Sequence, residues 1–366
     1  MSDRTPTITY GGTLAIRCPQ ELMDSYQSLV EDQRLSWTSH HHMLRRLGSG
    51  GQGVVFLSER RGADSFTLPV ALKIFSPHHY SDSRSYDEDM VRIARIGARV
   101  AQIQQDHLLD VNNFIERDRI RIMEMEWIDG YDMRQLLTPR MVEHARERAT
   151  PEHWKFLTQV IFTPGTYQPR LKPGVAIQIL REALAGLTAL HREGIVHGDL
   201  KPSNIMLKRT GSLKLIDIGS AIELDNIPSR RMCSPAYAAP EVLDDKSIGP
   251  QSDLASLGYV LIEMLAGRSP FAGQETFRSL LEAKRMLPQR LPEILPSDVV
   301  CNEMLLNLCK RLIAPDPSAR FPSAEAANLD REGAASFHRQ LVKSNLASEY
   351  DNDIRVWLEG LDKTLF

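Results

Sequence analysis

A chain of 366 residues, 42% apolar and 25% charged, is long enough for about two compact lobes and has the make-up of a globular protein. Lys and Arg number 44 against 47 Asp and Glu, and a net charge of −3 gives no general case for nucleic acid or an anionic membrane as partner. The four cysteines (Cys18, Cys233, Cys301 and Cys309) are far apart with no CxxC pair, which argues for free thiols rather than a disulfide framework.

The first ten residues, MSDRTPTITY, lack an apolar signal core, and a cytoplasmic chain is expected. A short strand at 7–10 and a helix near 21–29 carry no chemistry. His40-His41-His42 reads as a solvated linker, with a metal site or a tag remnant as the alternatives. Next come two strands, 43–47 and 54–59, joined by GSGGQG. Gly48, Gly50 and Gly53 have the spacing GxGxxG, followed by Val55. Glycines let a turn fold over phosphates and offer backbone N–H groups. The same spacing occurs in dinucleotide-binding loops, but those open a helix. Here VVFL follows, a β-branched and aromatic run that favours a strand.

The strand predicted at 67–75 contains Val70-Ala71-Leu72-Lys73, which sets a lysine behind the glycine turn. A helix follows within 85–105, and Glu88 is its only glutamate. Across residues 138–174, Thr150-Pro151 starts a helix and Pro164, Gly165, Pro169 and Pro173-Gly174 break the chain. Ile177, Leu180, Leu184, Leu187 and His191 recur at helical spacing over 175–191. The apolar run at 257–265 is short and holds Glu263, so no bilayer-spanning segment is expected. Near the C-terminus Leu346, Tyr350, Ile354, Trp357, Leu361 and Leu365 define an amphipathic helix. Its partner is either this chain's own body or a second copy.

Residues 197–204 read HGDLKPSN, and Asp217-Ile218-Gly219 begins thirteen residues after Asn204. Asp199 can accept a hydroxyl proton and Lys201 can reach a transferring phosphate. Asn204 and Asp217 offer the hard oxygen ligands that Mg²⁺ prefers.

These segments resemble the catalytic loop, metal-binding turn, Gly-rich loop and VAIK strand of protein kinases. Ala239-Pro240-Glu241 resembles the APE motif, and Arg320 the arginine that pairs with its glutamate. The chain is similar to serine/threonine protein kinases, in flavour the bacterial Hanks type. The resemblance implies an α+β bilobal fold with a small mainly-β N-lobe carrying helix C and a larger mainly-α C-lobe. Its implied boundaries are an N-terminal extension (1–42), an N-lobe (43–128), a C-lobe (129–330, with the insertion at about 138–174) and a helical extension (331–366).

It further implies ATP with Mg²⁺, or alternatively Mn²⁺, and transfer to Ser or Thr of a protein substrate. Gly48, Gly50, Gly53, Val55, Ala71, Lys73, Glu126, Ile128, Asp132 and Met206 would surround the nucleotide, with Met125 as gatekeeper. Asp199 would be the base, with Lys201, Lys73 and Ser234 in catalytic support. Asn204 and Asp217 would hold metal. Helix C should supply a glutamate to Lys73, and Glu88 is assigned to it here, with a solvated helix acid as the alternative. Gly198 stands where the family has Arg, and Ile218 where it has Phe. A phosphate on Ser220, Ser229 or Ser234 therefore lacks its usual receiver, with Arg230-Arg231 as a substitute. The insertion and the C-terminal helix are candidates for docking or dimerisation. A nucleotide-binding pseudokinase scaffold and a small-molecule kinase of the aminoglycoside or choline type remain as other readings.

Overall fold

The computed structural model describes residues 8–10, 19–31, 34–36, 40–228, 231–343 and 350–361. Thr7, Cys18, Ser229, Arg230, Leu346 and Leu365, which figure in the expectations above, lie outside them.

The N-terminal half builds one antiparallel sheet of six strands in the spatial order Arg34–Ser36, His40–Gly50, Gly53–Arg61, Thr67–Phe75, Ile120–Glu126 and Val111–Arg117. The glycine turn joins the second and third strands, with Gly50 opposite Gly53 in the ladder. Gly53 has φ +144°, and a Cβ there would meet the Ile74 carbonyl at 2.0 Å. Only glycine fits that approach.

One helix, Ser83–Val100, packs under the sheet. Asp82 caps it by accepting from the Ser85 N–H at 2.7 Å, and Ser85 returns the bond in a capping box. Its inner face is Tyr86, Met90, Ile93, Ile96 and Val100, all buried. The helix Gln20–Glu31 buries Leu22 and Leu29 in the same core.

The histidine run is not a linker. It begins the strand His40–Gly50, and His41 is 3% exposed, with a ring nitrogen 2.8 Å from Glu124 Oε2. Arg60 meets the other oxygen of Glu124 at 2.7 Å. The two-residue period of a strand turns His41 inward onto this carboxylate.

The C-terminal half is helical around Pro173–Arg192 and Pro250–Ala266, whose facing residues are almost wholly buried. Within the insertion, Thr138 caps the helix Pro139–Arg148 and Thr150 caps the short helix Pro151–Phe156, which runs into a π-helical turn, Leu157–Ile161. The helix Tyr350–Glu359 packs on that turn and on Pro173–Arg192, with the Trp357 and Phe162 ring centroids 5.8 Å apart. Tyr350 lies so close over Gly174 that a Cβ there would meet its hydroxyl at 2.0 Å. The described part of the C-terminal helix is thus seated on its own chain. No helix among the described residues is long and apolar enough to cross a membrane.

Candidate active site

The loop 197–204 is held from below by one carboxylate. Asp253, 1% exposed near the start of Pro250–Ala266, accepts from the His197 N–H at 2.8 Å and the Gly198 N–H at 3.0 Å. Its Oδ2 also lies 2.9 Å from His191 Nε2. Burial alone would raise the pKa of Asp253, but His191, His197 and the Gly198 amide outweigh it and keep the group below the usual carboxylate range.

On this support Asp199, Lys201 and Ser234 form a triangle. Lys201 Nζ donates to Asp199 Oδ2 at 2.7 Å and to Ser234 Oγ at 2.9 Å, while the Ser234 N–H donates to Asp199 Oδ1 at 2.8 Å. Asn204 donates its amide to the Asp199 carbonyl at 2.8 Å. That bond occupies the nitrogen side of Asn204 and leaves its oxygen as an acceptor.

Asp217 caps the turn Ile218–Ser220 from a left-handed backbone, φ 66°. Burial opposes its ionisation, but the Lys73 ammonium beside it prevails, helped by Lys201 and the Gly219 amide, and the pKa is held at about 2. Lys73 Nζ contacts Asp217 Oδ1 and also donates to Gln52 Oε1 at 2.6 Å. Gln52, from the glycine turn, donates in turn to Ser220 Oγ at 2.8 Å. Gly48 and Gly50 have open space where a Cβ would stand.

Glu88 does not meet Lys73, and its assignment is corrected. Its side chain is 66% exposed and accepts from Arg84 Nε at 2.8 Å. The buried stripe begins at Tyr86, and a residue two positions on points off that face. The helix instead reaches the segment after Asp217 through arginines, which sequence reasoning missed. Arg92 donates to the carbonyls of Ala221 and, at 3.0 Å, Gly219. Arg95 and Arg99 meet Glu223 at 2.7 and 3.1 Å. Residues 92, 95 and 99 fall on one helical face, a signal visible in the sequence.

Gly198 has φ +77°, and a Cβ there would lie 2.7 Å from the Ser220 carbonyl. On this path of the loop a larger residue at that position collides with backbone. Lys284, also unforeseen, is 0% exposed, donates to the Ala236 carbonyl at 2.7 Å and lies 4.0 Å from the Phe271 ring. Burial draws its ammonium well below the ordinary lysine range.

At the junction of the lobes, Met125 and Ile128 are buried, and the Glu126 N–H bonds the Asp110 carbonyl at 3.0 Å. Asp132 pairs across the ladder with Met206 and caps Met133–Leu136, accepting from the Gln135 N–H at 2.9 Å. Burial raises Asp132 to about 6 against the opposing Gln135 bond and Arg134. Val55 and Ala71 lie on neighbouring strands under the glycine turn, with Val55 opposite Lys73 and Ala71 opposite Met125. Glu241 and Arg320 form a buried bidentate pair at 2.7 and 2.8 Å. Removing one partner of such a pair costs ~3–5 kcal/mol.

A six-stranded sheet with a glycine turn, joined to a helical lobe whose loop carries Asp199, Lys201 and Asn204, defines a two-lobed kinase fold. Residues 41–330 match the family described as protein kinase domain, and the chain belongs to that family. The serine/threonine-protein kinase PknL of Mycobacterium tuberculosis is 29% identical over 308 residues, covering 81% of this chain and 66% of that protein. PrkC of Bacillus subtilis, a serine/threonine-protein kinase, is 24% identical over 300 residues, 80% of this chain and 40% of PrkC. The chain thus spans less than two thirds of the length of these curated relatives. The PknI kinase domain of M. tuberculosis aligns with a TM-score of 0.57 at 23% identity, over 84% of this chain and 98% of that one, a likeness of fold.

Proposed function

We propose that the chain is a protein serine/threonine kinase that transfers the γ-phosphoryl group of ATP to a Ser or Thr hydroxyl, of the kind with Gly rather than Arg before the catalytic aspartate. The observation that carries this reading is the Asp199–Lys201–Ser234 triangle. Asp199 accepts the proton of the attacking hydroxyl. Lys201 balances charge on the transferring phosphoryl, and Ser234 fixes both groups and borders the acceptor. The hydroxyl oxygen bonds to the γ-phosphorus as the bond to the β–γ bridging oxygen breaks and ADP leaves.

The donor set suits a divalent cation. Asp217 is ionised and Asn204 has an amide oxygen to give, both hard ligands for Mg²⁺ or Mn²⁺. Such an ion supplies charge neutralisation at the phosphates when bound. Lys73 and the glycine turn serve the same phosphates from above. Glu126, Ile128, Asp132 and Met206 border the space for adenine and ribose.

A nucleotide-binding scaffold without turnover is the second reading, favoured by Lys73 having Asp217 and Gln52, not a helix glutamate, as its hydrogen-bond partners. Asp199→Asn separates the two. Loss of ~10²–10⁴-fold in peptide phosphorylation with ATP affinity retained is the expected outcome. Wild-type protein that binds ATP–Mg²⁺ but phosphorylates no Ser/Thr peptide would decide for the scaffold.

A further inference from the structure

The strand Ile8–Tyr10 pairs antiparallel with Arg231–Cys233, a segment far from it in sequence, setting Ile8 opposite Cys233, Thr9 opposite Met232 and Tyr10 opposite Arg231. These two strands make a sheet of their own. The residue after Cys233 is Ser234, whose backbone and hydroxyl touch Asp199 and Lys201. In this register the N-terminal chain, followed from Tyr10 back to Ile8, runs towards Ser234.

We propose that the backbone edge Arg231–Cys233 takes an extended Ser/Thr-bearing peptide by strand addition, and that residues 8–10 occupy this edge in cis and must be displaced by a substrate. The Ser/Thr class of the peptide and its competition with residues 8–10 rest on the kinase reading above; the strand pairing itself does not. Three observations converge. The edge leads directly into the residue that contacts the proposed base. Its occupant belongs to a segment with Ser2, Thr5, Thr7 and Thr9 in its first ten residues, the chemical class of the proposed acceptor. And a ladder of three residue pairs is marginal by itself, which leaves this edge open to exchange of its occupant. Strand addition draws affinity from main-chain hydrogen bonds, which a foreign extended peptide can reproduce.

The test uses the full chain with Ile8→Pro and, separately, Thr9→Pro. Neighbouring strand residues point their N–H groups to opposite sides, so one of the two removes a ladder donor. Amide hydrogen exchange of residues 231–236 should speed up in at least one variant, and a synthetic peptide of residues 1–12 should restore protection. That variant should phosphorylate a degenerate Ser/Thr peptide library, at sub-saturating concentration, about three- to tenfold faster, with the KM for ATP unchanged. The 1–12 peptide should then inhibit it competitively against library peptide and not against ATP. Exchange that stays at the wild-type rate in both variants would overturn the pairing. Faster exchange with an unchanged library rate in an active enzyme would overturn the competition. If no protein form phosphorylates any peptide while the 1–12 peptide still restores protection, the edge stands and the kinase reading falls.

Discussion

Lys73 and Asp217 are in direct contact across the two lobes, and Gln52 shares the same ammonium at 2.6 Å. The acid that meets this lysine therefore comes from the segment below it, not from the helix beside it.

Glu88→Gln should accordingly leave peptide phosphorylation within about twofold of wild type, because the carboxylate meets Arg84 on the exposed face of the helix, away from Lys73. Lys73→Met should abolish most turnover and strip Asp217 of its main counter-charge. Parallel initial rates of the two variants check this. A large loss in Glu88→Gln would mean that the helix rotates to bring Glu88 inward when nucleotide binds.

Gly198→Ala should destabilise the fold by at least ~1–2 kcal/mol, the cost of a left-handed backbone for an L-residue, with the clash against the Ser220 carbonyl in addition. Urea denaturation measures it. Gly198→Arg, which restores the residue seen elsewhere in the family, should be worse still. A neutral Gly198→Arg would show that the loop adopts another path.

The segment after Asp217 is fastened by a resident carboxylate. Glu223 is 3% exposed, and although burial works against its charge, Arg95 and Arg99 keep it below the usual carboxylate range. Phosphatase-treated protein should phosphorylate peptide as fast as untreated protein, since no phosphatase removes this anchor. Arg95→Ala/Arg99→Ala should expose residues 218–228 to limited proteolysis and lower the rate. Buried Glu223 left unpaired costs ~1–3 kcal/mol or more.

Burial pushes the Asp132 carboxyl up to about 6 from its ordinary 3.8. Between those values the folded protein holds a proton that the unfolded chain has released, so stability falls as pH rises through that window. Asp132→Asn keeps the helix cap without the titration. The Tm difference between Asp132→Asn and wild type should therefore shift in favour of the variant from pH 4 to pH 7. A difference that stays flat would place Asp132 among ordinary solvated acids.

What could be read in advance was whatever is written contiguously. HGDLKPSN, the glycine turn and VALK are each written within a few residues, so Lys73, Asp199, Lys201 and Asn204 could be put forward as site residues from the chain alone, whereas Ser234 followed only from its place ahead of Ala239-Pro240-Glu241 in the family pattern. Glu88 failed because it was chosen by residue type; the stripe Tyr86, Met90, Ile93, Ile96 would have put it outside. His41 failed for a similar reason, since its partner Glu124 is 83 residues away. The pairing of Ile8–Tyr10 with Arg231–Cys233 has no local signature, because a three-residue ladder is specified by the edge it finds.

Arg209 joins Asp129 at 3.0 Å, the Tyr131 hydroxyl at 2.9 Å, and the carbonyls of Leu358 and Leu361 at 2.8 and 2.9 Å. The stretch that links the lobes is in this way bolted to the tail through one guanidinium. A fragment ending at residue 330, where the family match stops, would leave that guanidinium short of two acceptors and Phe162 without its Trp357 cover. For anyone choosing where to cut this chain, the tail belongs with the catalytic body, and the first place a wrong cut would register is the seam where the lobes join.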